Sequence, residues 1–195
     1  MPQEQDNDVS AIKEQLLKRE EVFQGNFLKV RRDTILTATN LTRTREYITH
    51  PGAACIICLF DDETTLIETQ WRQPCQRAFV EFPAGKLDPA ESPLACAKRE
   101  LKEETGYEAR QWHYLGRLHN ALGYSNEKLE LFLARDLTAG EQALDDGECL
   151  TVSRVPLKQV IEQCDNGTIT DVKIVIGAYW AQRWLMGKMP EKSMP

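Results

Sequence analysis

No apolar run in this 195-residue chain approaches the roughly 20 residues that cross a bilayer as a helix, so a spanning helix is not expected. There is no Lys/Arg-rich block, and the formal net charge is −6. The electrostatic footprint of a duplex-binding protein is therefore missing, and no nucleic-acid partner is expected. No G-x-S-x-G occurs, and the three histidines, His50, His113 and His119, have no evident nucleophile beside them in sequence. Both features argue against a serine or cysteine hydrolase. A single C-x-x-C, Cys55 and Cys58, has no second pair and no H-x-x-x-H to complete a zinc site. Residues 1–8 lack the basic start and apolar stretch of a signal peptide; they are polar, acidic and expected to be disordered. A cytoplasmic location is the resulting expectation. No internal repeat or low-complexity segment is apparent.

What is present suits one folded domain with a small appendage. Apolar residues make up 42% and charged residues 28%, enough for a core without disulfides or a structural metal. The six cysteines mostly sit among apolar residues, as reduced buried thiols do. Cys55 and Cys58 lie inside the strand-like run from Ala53 to Phe60, whereas a redox pair usually precedes a helix. They are read as core positions.

Along the chain, Ile12, Leu16 and Leu17 recur at helical spacing, which predicts a short amphipathic helix over Ser10 to Phe23. Phe27 to Thr37 and Arg43 to Thr49 read as strands of a β-hairpin. Residues 1–50 are taken as an N-terminal appendage, and residues 51–195 as the main domain. Ala53–Phe60 and Thr65–Trp71 read as a hairpin around Asp61-Asp62-Glu63, and Phe79–Phe82 as a short strand. Further strands are expected near Trp112–Leu118, Leu129–Arg135 and Cys149–Val155, and helices near Pro156–Cys164 and Asp171–Leu185. The fold class is mixed α/β (α+β), with hairpins rather than a run of crossovers.

The strongest local signals flank a helix from Ser92 to Thr105. Ser92 is a good N-cap, Pro93 suits the first helical position, and Gly106 can take the left-handed conformation that ends a helix. At about 100° per residue, Leu94, Ala97 and Leu101 form a core-facing stripe. Glu100 and Glu104 border it side by side, with Glu103 further round. Carboxylates clustered in one turn repel each other, and a hard cation such as Mg²⁺ would relieve that. A backbone carbonyl in the preceding loop, Pro83 to Asp88, could complete its shell. Arg99 can pair with Glu103 or with Glu91. From composition alone, a solvated acidic face would account for these residues equally well.

The full spacing decides between the two. The segment reads Gly85-x5-Glu91-x7-Arg99-Glu100-Leu101-x-Glu103-Glu104-x-Gly106-Tyr107. It resembles the signature box of the Nudix hydrolase family at every defined position, a match with chance odds of roughly one in ten million at ordinary residue usage. Arg45-Glu-Tyr47, His50-Pro-Gly52, Gln70-Trp-Arg72, Glu81-Phe-Pro-Ala-Gly85, Gly123-Tyr-Ser-Asn-Glu127 and Gly167 to Lys173 resemble its ADP-ribose and nucleotide-sugar pyrophosphatase branch.

The resemblance implies a Nudix fold, a mixed sheet sandwiched between helices, with the hairpin appendage at its N-terminus. It implies Mg²⁺- or Mn²⁺-dependent hydrolysis of a nucleoside diphosphate sugar to a mononucleotide and a sugar phosphate. Glu100 and Glu104 would be metal ligands with the Ala84 carbonyl, Glu103 a further ligand or water-orienting group, and Arg99 their orienting partner. A catalytic base is expected late in the domain, and Glu148 is the candidate. Arg72, Arg45, Tyr47, Glu81 and Gly123 are candidate substrate contacts, Arg72 for phosphate and Tyr47 for base stacking. Members of the branch are commonly homodimers that use the N-terminal strands. Where the branch often has Ser-Pro-Gly-Phe, this chain has Ala121-Leu-Gly-Tyr124, which leaves GDP-mannose and other nucleotide sugars open. The rival reading is a Nudix-fold binding module or regulator without catalysis.

Overall fold

The computed structural model describes residues 9–195; the expected disorder of residues 1–8 lies outside them. The described chain divides into two compact units, residues 9–50 with 121–127, and residues 51–120 with 128–195.

The first unit is a three-stranded antiparallel sheet of β1 (Gln15–Gln24), β2 (Lys29–Leu36) and β3 (Thr42–Thr49), in that order. The helix expected over Ser10 to Phe23 is instead strand β1. Its register against β2 shifts between Leu16 and Lys18 and again between Glu21 and Phe23. Each bulge inserts one residue and breaks the two-residue alternation by which a strand is recognised. Cross-strand charge pairs hold the pairing: Arg19 is bidentate on Asp33 at 2.8 and 2.7 Å, and Arg31 meets Glu21 at 3.0 Å. The appendage is thus a three-stranded sheet rather than a hairpin with a helix. The loop 121–127 is tied to it by the Ile48 and His50 amides, which donate to Tyr124 O and Asn126 Oδ1, each at 2.8 Å.

The second unit carries two sheets and three helices. The four-stranded mixed sheet has the order β7 (Ala84–Lys86), β4 (Ala53–Cys58), β9 (Leu129–Ala139), β8 (Tyr107–Leu118). The three-stranded antiparallel sheet has the order β10 (Leu150–Pro156), β5 (Thr64–Arg72), β6 (Arg77–Glu81). The helices are α1 (Pro93–Thr105), α2 (Leu157–Asp165) and α3 (Val172–Leu185). The predicted turn at residues 61–63 is present, with Phe60 N–H on Thr64 O at 3.0 Å, but its two strands do not form a hairpin. They part after a single bridge, Leu59 with Thr65. β4 is buried along its whole length, so both of its edges need strand partners. It takes β9 in parallel and β7 antiparallel, while β5 joins the other sheet.

β4 organises the core. Ala54, Ile56 and Cys58 pack with Cys96, Ala97 and Leu101 of α1, while Cys55, Ile57 and Leu59 pack with Val160 of α2 and Ile174 and Ala178 of α3. Successive side chains of a strand point to opposite faces, so one six-residue element supplies both layers. A fully buried Ile or Leu contributes about 1.5–3 kcal/mol. Cys55 and Cys58 are free and buried, one in each layer, as their strand context predicts. Among the described residues no helix is long and apolar enough to cross a membrane.

Candidate active site

Helix α1 is built by its ends. The Ser92 hydroxyl accepts from the Ala95 amide at 3.2 Å, Pro93 opens the first turn, and Gly106, at φ 74°, donates to Lys102 O at 2.9 Å. A Cβ at Gly106 would also meet Gly140 O at 2.8 Å, so both backbone angle and space call for glycine. With Ala97 and Leu101 fully buried against β4, the register of the helix is fixed, and Glu100, Glu103 and Glu104 are presented together.

Arg99 gathers the acidic residues of the box. Its Nε and Nη2 donate to Glu91 at 2.9 Å each, and its Nη1 to Glu100 at 2.8 Å and to Glu103 at 3.0 Å. Nη2 also donates to Lys86 O in the preceding loop at 3.1 Å. Both pairings expected for Arg99 occur together, and Glu100 joins them. The Arg99 guanidinium holds the Glu91 carboxyl down at about 2. The Glu100 carboxyl is pushed up, first by burial and further by the charges of Glu103 and Glu148, against the pull of Arg99.

Glu104 is only 4% exposed and accepts from the Ala84 amide at 2.9 Å. Burial, followed by the charges of Glu68, Glu100 and Glu148, raises its proton affinity far above that of a free carboxylate. Glu148 stands just before β10, half-buried, with its amide on Asp145 O at 3.0 Å. Glu148 acts electrostatically on Glu68, Glu100 and Glu104 alike, so the chain brings this loop residue to the helix carboxylates.

Glu81 and Arg72 form a second feature. Arg72 of β5 is bidentate on Glu81 of β6 at 2.5 and 2.7 Å. Lys173 of α3 donates to the other side of the same carboxylate at 2.6 Å and to Asp171 at 3.0 Å. Burial pushes the Glu81 carboxyl up, but the hydrogen bonds and charges of Arg72 and Lys173 outweigh it and hold it low. Two cations on one carboxylate leave local positive charge, which suits phosphate oxygens.

Arg45, Tyr47 and Gly123 belong to the first unit. Arg45 ion-pairs with Glu14, and the Tyr47 hydroxyl donates to Asp33 at 3.1 Å. A Cβ at Gly123 would meet nothing within 4 Å.

Sequence reasoning overlooked Glu68 and left Lys173 without a role. The signal for Glu68 was available: it shares a face of β5 with Leu66, which is buried, so a carboxylate occupied a core-facing position.

The donor set fits a hard divalent cation. A Cβ on Gly85 would lie 1.8 Å from Glu100 Oε1, so the loop leaves room for a carboxylate and not for a side chain. Glu68 Oε1 is buried with no hydrogen-bond partner. Among the described residues no three His, Cys, Asp or Glu side chains already converge as a closed cage. Mg²⁺ does not require one; it is commonly held by one or two carboxylates, waters and substrate phosphate.

Residues 49–175 match the sequence profile of the NUDIX domain. The chain is 33% identical over 173 residues to the methanol dehydrogenase activator of Bacillus methanolicus, covering 88% of this chain and 94% of that protein. It is 28% identical over 176 residues to the ADP-ribose pyrophosphatase of Bacillus subtilis, covering 89% and 95% of the two chains. A crystal structure of an ADP compounds hydrolase superposes with a TM-score of 0.79 at 23% identity, covering 90% of this chain and 96% of that one, a likeness of fold.

Proposed function

Since the chain belongs to the NUDIX domain family, we propose that it is a divalent-metal-dependent pyrophosphohydrolase. Its substrate is ADP-ribose or a related nucleoside diphosphate sugar, and its products are a nucleoside monophosphate and a sugar phosphate. The observation that carries this reading is the set of carboxylates around α1. Glu100, Glu103 and Glu104 are held by Arg99 and the Ala84 amide, with Glu148 acting on them from its loop.

In this reading Glu100, Glu104 and the Ala84 carbonyl hold Mg²⁺, with Mn²⁺ as substitute and Glu103 as a further ligand. The cation, when bound, neutralises the diphosphate and lowers the pKa of a coordinated water. Arg99 keeps Glu100 and Glu103 in place. Glu148 takes the proton from the attacking water. Arg72 and Lys173, bridged by Glu81, direct positive charge at the phosphates. Arg45, Tyr47 and Gly123 serve substrate choice.

The sheet of the first unit supports a homodimer, because Leu16, Leu17, Val22 and Phe23 of β1 are exposed. Light scattering should give twice the 22.3 kDa chain mass, and a monomer would retire the dimer. We place the protein in the cytoplasm, consistent with six free cysteines.

The decisive experiment incubates the protein with ADP-ribose, GDP-mannose, other nucleotide sugars and dinucleotides, with Mg²⁺ and with EDTA. Mononucleotide release that EDTA abolishes is expected. Tight binding without turnover would instead establish a binding module.

A further inference from the structure

Glu68 is the carboxylate for which the proposed chemistry has no place. It stands on β5 directly across from Glu81 of β6 and is 3% exposed. Its Oε1 atom is buried without a hydrogen-bond partner, and no ion pair of Glu68 is found among the described residues. Arg72 and Lys173 direct their hydrogen bonds to the neighbouring Glu81.

The ordinary accounts of a strand carboxylate fail for this one. It is not solvated, because it is buried. It caps no helix, because it lies in mid-strand. It is not neutralised by a basic side chain. It lies instead among other acids: after burial, Glu68 is the largest influence raising Glu104, and Glu148 and Glu81 are the largest charges acting on Glu68. Buried carboxylates that face one another need a positive partner or a proton. A diphosphate is itself an anion and cannot supply the charge.

We propose that Glu68 is a further carboxylate of the cation site, binding a divalent ion shared with Glu104 either directly or through one coordinated water. The proposal rests on the metal-dependent reading given above. It adds a ligand from β5, outside the helix and loop that carry the box. Its chemistry is that of a hard cation with an additional oxygen donor.

The test reads metal binding rather than turnover. Mn²⁺ is titrated into the whole wild-type chain and into Glu68→Gln, and free Mn²⁺ is followed by its electron paramagnetic resonance signal. Glu68→Gln should raise the Kd roughly tenfold or more, the usual cost of removing a group that supports a metal, or remove one bound equivalent. Its metal-free Tm should be no lower than wild type, because the amide keeps the shape and removes a charge. Glu68→Met, of similar volume and without a polar atom, repeats the test should the amide be poorly accommodated. Wild-type Mn²⁺ affinity and stoichiometry in these variants would overturn the proposal and leave the metal-dependent reading standing. Lowered metal-free Tm with unchanged Mn²⁺ binding would overturn it in favour of a structural role. Absence of Mn²⁺ binding by the wild-type chain would remove the proposal and that reading together.

Discussion

Glu100 occupies the space that a side chain at residue 85 would fill: its Oε1 lies 1.8 Å from where a Cβ on Gly85 would be. The obstacle is the end of a flexible side chain, so Gly85→Ala should fold. The Glu100 carboxylate must then leave its place beside Arg99. We expect kcat to fall at least about tenfold, with weaker Mn²⁺ binding, and the circular dichroism spectrum to stay that of wild type. A wild-type kcat would separate Gly85 from the positioning of Glu100.

Glu104→Gln tests the buried end of the same helix. The amide fits the space and can still accept from the Ala84 N–H, now 2.9 Å from the carboxylate. What it loses is charge. Turnover should drop on the order of a hundredfold, while metal-free Tm holds or rises because repulsion with Glu68 is relieved. Steady-state kinetics and a melt in EDTA check both halves, and an unchanged kcat would remove Glu104 from the metal ligands.

Glu148→Gln should behave differently. As the proposed base, Glu148 affects kcat and the acid limb of its pH profile, not the affinity for metal. A drop in kcat on the order of a hundredfold, with Mn²⁺ binding within about twofold of wild type, is expected. A wild-type rate across the pH range would exclude the role.

The Glu91–Arg99 pair predicts an acid dependence of stability. Glu91 is held down at about 2 in the folded chain, from an ordinary value near 4.5. The folded state therefore binds fewer protons than the unfolded state between these values. Its stabilisation is complete above pH 4.5 and is lost as pH falls through 2. Glu91→Gln should lower Tm at pH 7 by on the order of a few degrees and converge with wild type toward pH 2. A gap independent of pH would mean that charge on Glu91 contributes nothing.

Thiol accessibility separates the cysteines. Cys75 and Cys149 are exposed, whereas Cys55, Cys58 and Cys96 are buried. Burial pushes the Cys55 and Cys58 thiols up, which also removes the reactive thiolate. Ellman's reagent should label Cys75 and Cys149 quickly in the native protein, and Cys55 and Cys58 only after denaturation. Fast native labelling of Cys55 or Cys58 would contradict their place in the core.

The sequence by itself determined what depends on short spacing. The caps Ser92 and Gly106, the apolar stripe of Ala97 and Leu101, and the adjacency of Glu100 to Glu104 follow from 3.6 residues per turn and backbone hydrogen bonding, with no reference to distant residues. The same holds for Cys55 and Cys58, whose alternation along β4 sends them to opposite layers. Local patterns misled where tertiary pairing intervened. Two bulges disguised β1 as a helix, and the buried edges of β4 drew it to β7 and β9 rather than to β5. Only the tertiary structure decided that Glu68, Glu81, Glu148 and Lys173, from two strands, a loop and a helix, act on the helix carboxylates or on one another. Charges interact through space, and the distances that set their energies belong to the folded chain, not to spacing along it.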